Sequence, residues 1–129
     1  MTDFSLKDKV IVVTGGTGIL GKSFIDAIVE AGGSVGILGR NEDIARQRAD
    51  HINRSGGRAV PLIADVLDIE DLKAAKDKIL NKFGRIDGLV NAAGGIMPQG
   101  VLMPDQDLFQ MDLNGMREVM DLNLWGTLN

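Results

Sequence analysis

Apolar residues run along this chain in two alternating rhythms. Short, nearly unbroken β-branched runs give way to stretches where apolar positions recur every three or four residues. Lys9 to Thr14 (KVIVVT) is almost wholly apolar, the pattern of a strand covered on both faces. Leu20, Phe24, Ile28 and Ala31 follow at helical spacing, and Gly32-Gly33 ends that helix. Ser34 to Leu38 (SVGIL) predicts a second strand. Asn41 is placed to cap a helix to about Asn53, with Ala45, Arg48, Ala49 and Ile52 on one face. Arg58 to Ala64 (RAVPLIA) predicts a third strand, and its Pro61, which has no N–H for a ladder, suits a sheet edge. A third helix is expected from Ile69 to Phe83, on the stripe Leu72, Ala75, Ile79 and Phe83, closed by Gly84. Ile86 to Asn91 (IDGLVN) reads as a fourth strand. A loop bearing Gly, Pro and Met then leads to a last helix from about Leu113 to the end.

Strands alternating with helices imply a parallel sheet with right-handed crossovers. The expected fold is α/β, a Rossmann-type doubly wound parallel sheet with helices on both faces. One domain over 1–129 is expected, with no internal repeat or linker.

Composition narrows the function classes. Hydrophobic residues make up 44% and charged residues 25%, the balance of an ordinary globular domain. A formal net charge of -4 offers no clustered basic face for nucleic acid and no polybasic patch for a membrane. There is no cysteine and one histidine, His51, so thiolate or imidazole-rich metal sites are not expected. Met1 to Lys9 is polar and lacks the apolar core of a signal peptide, and no apolar run suits a bilayer span. A cytoplasmic protein is expected, with no nucleic-acid or membrane partner.

The first strand runs into Thr14-Gly15-Gly16-Thr17-Gly18-Ile19-Leu20-Gly21, and a helix begins at once. In such a loop the first glycine permits a tight turn, a middle one admits a pyrophosphate, and the last lets helix and strand pack closely. The free N–H groups and the dipole at the helix start attract an anion. Glycine-rich turns also occur for bland reasons. Here a strand precedes the loop and a helix and second strand come after it, which is the context that points to phosphate.

A dinucleotide site reads its ribose about 20 residues on, usually with an acid. That slot holds Gly39, followed by Arg40 and Asn41. A guanidinium there can fork onto a 2′-phosphate, which favours NADP, with NAD the other reading through Glu42 or Asp43. The bland reading of Arg40 is a solvated residue where the helix starts.

Four pieces together resemble a short-chain dehydrogenase/reductase. They are Thr14 to Gly21 (TGGTGILG), Asp65-Val66 after the third strand, Asn91-Ala92-Ala93-Gly94 (NAAG) after the fourth, and Leu122 to Gly126 (LNLWG) on the last helix. The resemblance implies that Asp65 meets the adenine amino group and Val66 packs on its ring. It implies that Asn91 to Gly94 brace the central sheet and lie against the cofactor. Asn123 would be the asparagine of a catalytic Asn-Ser-Tyr-Lys set, its main chain helping to hold a water of a proton relay. It falls in register with Met116, Met120 and Thr127 on the expected inward stripe, where a buried amide must find partners. The bland readings are a turn cap for Asp65, a small-residue turn for Asn91 to Gly94, and a satisfied core asparagine for Asn123.

The glycine spacing departs from the family's commonest loop, TGxxxGxG, whose middle glycine would fall at Ile19. The GxxGxxG of Gly15, Gly18 and Gly21 is more typical of the extended, epimerase-like branch. The stretch Asp107 to Gly126 resembles the sugar-acid reductases called D-mannonate oxidoreductases or fructuronate reductases, which implies hydride transfer between nicotinamide and a carbonyl or alcohol substrate. The family's acid is a tyrosine in Tyr-x-x-x-Lys, and this chain holds no tyrosine. It therefore reads as the first part of a longer enzyme, the sheet ending after the fourth strand and its helix, with the full-length form a homo-oligomer. Met97, Met103 and Met111 in the loop suggest an adaptable apolar lining for one wall of a substrate pocket. Two other readings stay open: a non-catalytic dinucleotide-binding regulator, and an epimerase or dehydratase.

Overall fold

A computed structural model describes residues 4–129; Met1 to Asp3, the start of the polar N-terminal stretch, lie outside the described residues. Strand β1 (Val10–Thr14) leads to α1 (Ile19–Glu30), β2 (Ser34–Gly39), α2 (Glu42–Arg54), β3 (Arg58–Ile63), α3 (Ile69–Phe83) and β4 (Gly88–Asn91). A connection carrying two 3-10 turns, Pro98–Gly100 and Leu108–Gln110, reaches α4 (Leu113–Met120).

The strands are all parallel, in the order β3-β2-β1-β4. Val12 lies beside Gly36 on one side and Leu89 on the other. Successive side chains point to opposite faces. Val12 joins Leu38, Val60, Leu62, Ala75 and Ile79 in a cluster beneath α3. Val13 joins Ile25, Ile28, Val35, Ile37, Ala45, Ala49 and Ile52 beneath α1 and α2. Both faces are covered, which is why these strands read as unbroken apolar runs. Each fully buried aliphatic side chain here, such as Ile25, Ile37 or Ile79, stabilises the fold by roughly 1.5–3 kcal/mol. Pro61 sits on β3, the edge strand, where its missing N–H costs no rung.

Local chemistry sets the element ends. Asn41 Oδ1 accepts from the Ile44 N–H at 3.0 Å and caps α2. Asp68 Oδ1 accepts from the N–H groups of Glu70 and Asp71 and caps α3. Gly84 ends α3 at φ 77°, in the left-handed region. Asp87 locks the start of β4 to β1: its carboxylate accepts from the Val10 N–H at 2.8 Å and from Arg85 Nε at 3.0 Å. Those bonds, the one from Arg85 foremost, hold the Asp87 carboxyl below the usual carboxylate range. The ladder consequently starts at Gly88, two residues later than the apolar pattern suggests.

The last helix differs from the expected one. Beyond α4 the backbone widens into a π turn, Asp121–Trp125, and returns to α geometry for Gly126–Leu128. A π turn inserts a residue and rotates the later residues out of the 3.6-residue register. Gly115 and Gly126 are buried and Met116, Val119 and Leu122 half-buried, whereas Met120, Asn123 and Thr127 are exposed. The stripe read from Met116, Met120, Asn123 and Thr127 thus holds only at its first residue. No helix among the described residues is long and apolar enough to cross a membrane.

Candidate functional site

The chain leaves β1 toward β2 on one side, and α3 returns it to β4 on the other. The segments after β1 and β4 therefore diverge and open a crevice at the carboxyl ends of the strands, where open α/β sheets bind ligands. Thr14 closes its floor. It is buried, and its Oγ1 accepts from the Ala92 and Ala93 N–H groups, both at 3.1 Å. The backbone turns at Gly15 with φ 65°, so close to β4 that a Cβ there would stand 2.5 Å from the Ala92 carbonyl oxygen. At Gly21 a Cβ would stand 2.1 Å from the Gly15 carbonyl oxygen. Helix α1 can approach the loop this closely only with glycine at that position.

The cleft above this floor measures about 240 Å³. Gly15, Thr17 and Gly18 line one side, Gly39, Arg40, Asp65 and Val66 another, and Ala92, Ala93 and Gly94 a third, with Leu38, Ala64 and Leu122 between them. Gly18 is the N-cap of α1. The N–H groups of Thr17, Ile19 and Leu20 donate to no group among the described residues, as expected at a helix start. Ile19, standing where the family's commonest loop has glycine, is 90% exposed and does not line the cleft. Gly18 lines it instead.

The acid slot holds Gly39, against which the Thr17 side chain packs. A Cβ there would lie 2.5 Å from Thr17 Oγ1. Beyond it, Arg40 reaches across to Asp65, Nη1 to Oδ2 at 3.8 Å. The other oxygen of Asp65 accepts from the Leu67 N–H at 3.0 Å, so this carboxylate caps its turn and faces the cleft at once. Glu42 is held by Arg46, whose Nε donates to it at 2.7 Å.

Several sequence-derived candidates stand outside the lining. Thr14 lies beneath the cleft, and Gly16 and Gly21 shape the loop from behind; Leu20 is exposed; Asn41 serves as the α2 cap. Asn91 faces a second, apolar groove with Val12, Ile79 and Leu89. His51 lies in a groove between α1 and α2, with Lys22, Asp26 and Arg48. Asn123 is bonded at the cleft's far end: its Nδ2 donates to the carbonyls of Gly95 and Val119, both at 2.8 Å, and its Oδ1 accepts from the Gly95 N–H. A Cβ on Gly94 would come within 2.6 Å of that Oδ1. The amide is satisfied, as a core asparagine would be, but on an exposed helix face.

Two contributors escaped sequence reasoning. Leu122, within the π turn, lines the cleft. Arg48 donates to the carbonyls of Gly16, at 2.5 Å, and Gly18, at 2.9 Å. The available signal was a lone cation on the otherwise apolar stripe of α2.

A sequence model of the short chain dehydrogenase family matches residues 9–129. The chain belongs to that family, and its sheet is the family's Rossmann-type fold. It is 34% identical over 130 residues to UxuB of Bacillus subtilis (strain 168), itself an uncharacterized oxidoreductase, covering 95% of this chain and 47% of that protein. A solved structure from Haemophilus influenza, provisionally named a D-mannonate oxidoreductase and carrying bound NAD, matches with a TM-score of 0.85 at 30% identity, over 96% of this chain and 48% of that one. A 7α-hydroxysteroid dehydrogenase complexed with NADH and 7-oxo glycochenodeoxycholic acid matches with a TM-score of 0.83 at 29% identity, over 98% of this chain and 46% of that one. The chain thus spans about half the length of the relatives it matches. Such relatives are named oxidoreductases and dehydrogenases, and the regulator and epimerase readings are not favoured by them.

Proposed function

We propose that the cleft holds a nicotinamide dinucleotide and that the full-length protein is an oxidoreductase interconverting a carbonyl and an alcohol on a sugar acid. The observation that carries this reading is convergence. Thr17 with its unpartnered amide, the Arg40 guanidinium and the small residues Ala92, Ala93 and Gly94 line one crevice beside the open start of α1. The residues fit such a group: the cradle is walled by glycines where a Cβ would collide or narrow it, and its donors suit an anion. When bound, the dinucleotide supplies or accepts the hydride.

The N–H groups of Thr17, Ile19 and Leu20 would hold its pyrophosphate. Asp65 would accept from the adenine amino group while Val66 packs on the ring. Asn123, set in the π turn against Gly95, would serve the proton relay that the family resemblance implies. The sugar-acid class is supported by the provisional name of the Haemophilus influenza structure.

NADP is the preferred form because Arg40 stands at the cleft and the slot before it holds Gly39 in place of an acid. NAD is a second reading, favoured by the two solved relatives that carry NAD and NADH. The protein would assemble as a homo-oligomer, using exposed apolar residues of the last helix such as Trp125 and Leu128.

Fluorescence titration of the full-length protein with NADPH and NADH tests the cofactor. An oxidation assay with keto sugar acids beside simple and steroid ketones tests the substrate. Binding of neither cofactor would overturn the reading.

A further inference from the structure

The Arg48 guanidinium sits behind the glycine loop, on the side away from the cleft. It comes from the middle of α2, between Ala45 and Ala49, which are both buried. Its Nη1 donates to the carbonyl oxygens of Gly16 and Gly18 at once. The ion pairs among the described residues do not include it. Nearby, Lys22 and Asp26 pair with each other at 2.6 Å. Arg48 is thus a half-buried cation whose hydrogen bonds go to two main-chain carbonyls of the loop.

Peptide planarity gives those two bonds a consequence. In a trans peptide the C=O and the next N–H point in opposite directions. The Gly16 carbonyl shares its peptide with the Thr17 N–H, and the Gly18 carbonyl with the Ile19 N–H. Drawing the Gly16 carbonyl back toward α2 turns the Thr17 N–H the other way, toward the cleft that Thr17 lines. The Gly18 carbonyl is held jointly by Arg48 and by the first bond of α1, from the Lys22 N–H at 3.2 Å, which leaves the Ile19 N–H facing out of the helix start. A bond from a cation also polarises each peptide, which strengthens its N–H as a donor.

We propose that Arg48 is a positioning residue of the phosphate cradle: from behind the loop it orients and polarises the Thr17 and Ile19 amides and adds an unneutralised positive charge toward a bound pyrophosphate. This rests on the reading of the cleft as a dinucleotide site. The bland alternative is a structural tie between α2 and the loop that has no preference for phosphate.

The two differ in what a substitution does to ligands with and without phosphate. The experiment titrates the full-length protein with NADH and measures displacement by ADP and by adenosine, for wild type, Arg48→Met and Arg48→Lys. Arg48→Met is expected to weaken NADH and ADP by about fivefold or more, the scale of a lost charge-assisted bond, while leaving adenosine unchanged. Arg48→Lys, which keeps the charge on a shorter, non-planar head group, is expected to recover part of the loss. If Arg48→Met does not fold, Arg48→Gln carries the same comparison without the charge. ADP bound as tightly by the uncharged variant as by wild type would overturn the proposal and leave the dinucleotide reading standing. Equal weakening of ADP and adenosine, with a lowered melting temperature, would also overturn it, as a purely structural tie. Wild-type protein that binds neither NADH nor NADPH would overturn both readings together.

Discussion

Asn123 and Gly95 bond to each other twice: the side-chain Nδ2 donates to the Gly95 carbonyl at 2.8 Å, and the Gly95 N–H donates back to Oδ1 at 3.1 Å. This clamp ties the π turn to the segment just past β4. Regular α geometry would rotate residue 123 elsewhere, so the irregular turn and the clamp belong together.

Asn123→Ala in the full-length enzyme should therefore release that segment and disturb the relay we propose for it. We expect kcat to fall by about tenfold or more, roughly 1.4 kcal/mol of barrier, with cofactor affinity changing far less. Steady-state kinetics beside an NADPH titration checks this. An unaltered kcat would remove Asn123 from the catalytic set.

The loop tolerates no side chain at Gly21. Gly21→Ala puts a methyl group 2.1 Å from the Gly15 carbonyl oxygen, and overpacking of that kind costs about 1–3 kcal/mol. Thermal melts should register the loss. Gly15→Val adds a β-branched side chain at a positive φ facing Ala92, and cofactor affinity should drop by at least about tenfold, or 1.4 kcal/mol. Unchanged NADPH binding in both variants would argue against a phosphate cradle.

Arg40→Ala separates the two cofactors. NADPH should weaken by an amount equivalent to about 1.5–3 kcal/mol, and NADH much less, because only the former carries a 2′-phosphate. Parallel titrations decide it. Equal weakening of both would mean that Arg40 does not read the phosphate, and would turn attention to Asp43.

Asp87 makes stability depend on pH. Its folded-state carboxyl lies below its unfolded value, chiefly through Arg85 and then the Val10 N–H. Its contribution is accordingly present above the unfolded carboxyl pKa and lost as pH falls through the folded one. Asp87→Asn should be less stable than wild type near neutrality, and the gap should close on acidification. Denaturant melts across that range measure it; a gap constant with pH would assign the loss to hydrogen bonding alone.

How much was legible varied with the physics of each element. The strands could be read because burial on both faces demands continuous apolar residues in β1 and β2. The edge position of β3 could be read from Pro61, since a missing N–H is a local covalent property. The capping by Asn41 and the stop at Gly84 are local as well, decided within a few residues. The glycine loop was legible for the same reason: close backbone approach leaves few residue types to choose from. The π turn was not, because its sequence keeps an ordinary helical pattern and the inserted residue shows only in the main chain.

Short-range patterning alone was enough for the order of elements, the parallel sheet and the glycine loop between β1 and α1. Only the tertiary structure decided which side chains share the cleft. It brought Arg40 to Asp65 and Arg48 behind Gly16 and Gly18. It turned Asn91 away to the apolar groove and set Asn123 on an exposed face. Those outcomes depend on contacts between residues far apart in the chain, whose distances are set by how helices rotate and pack on the sheet.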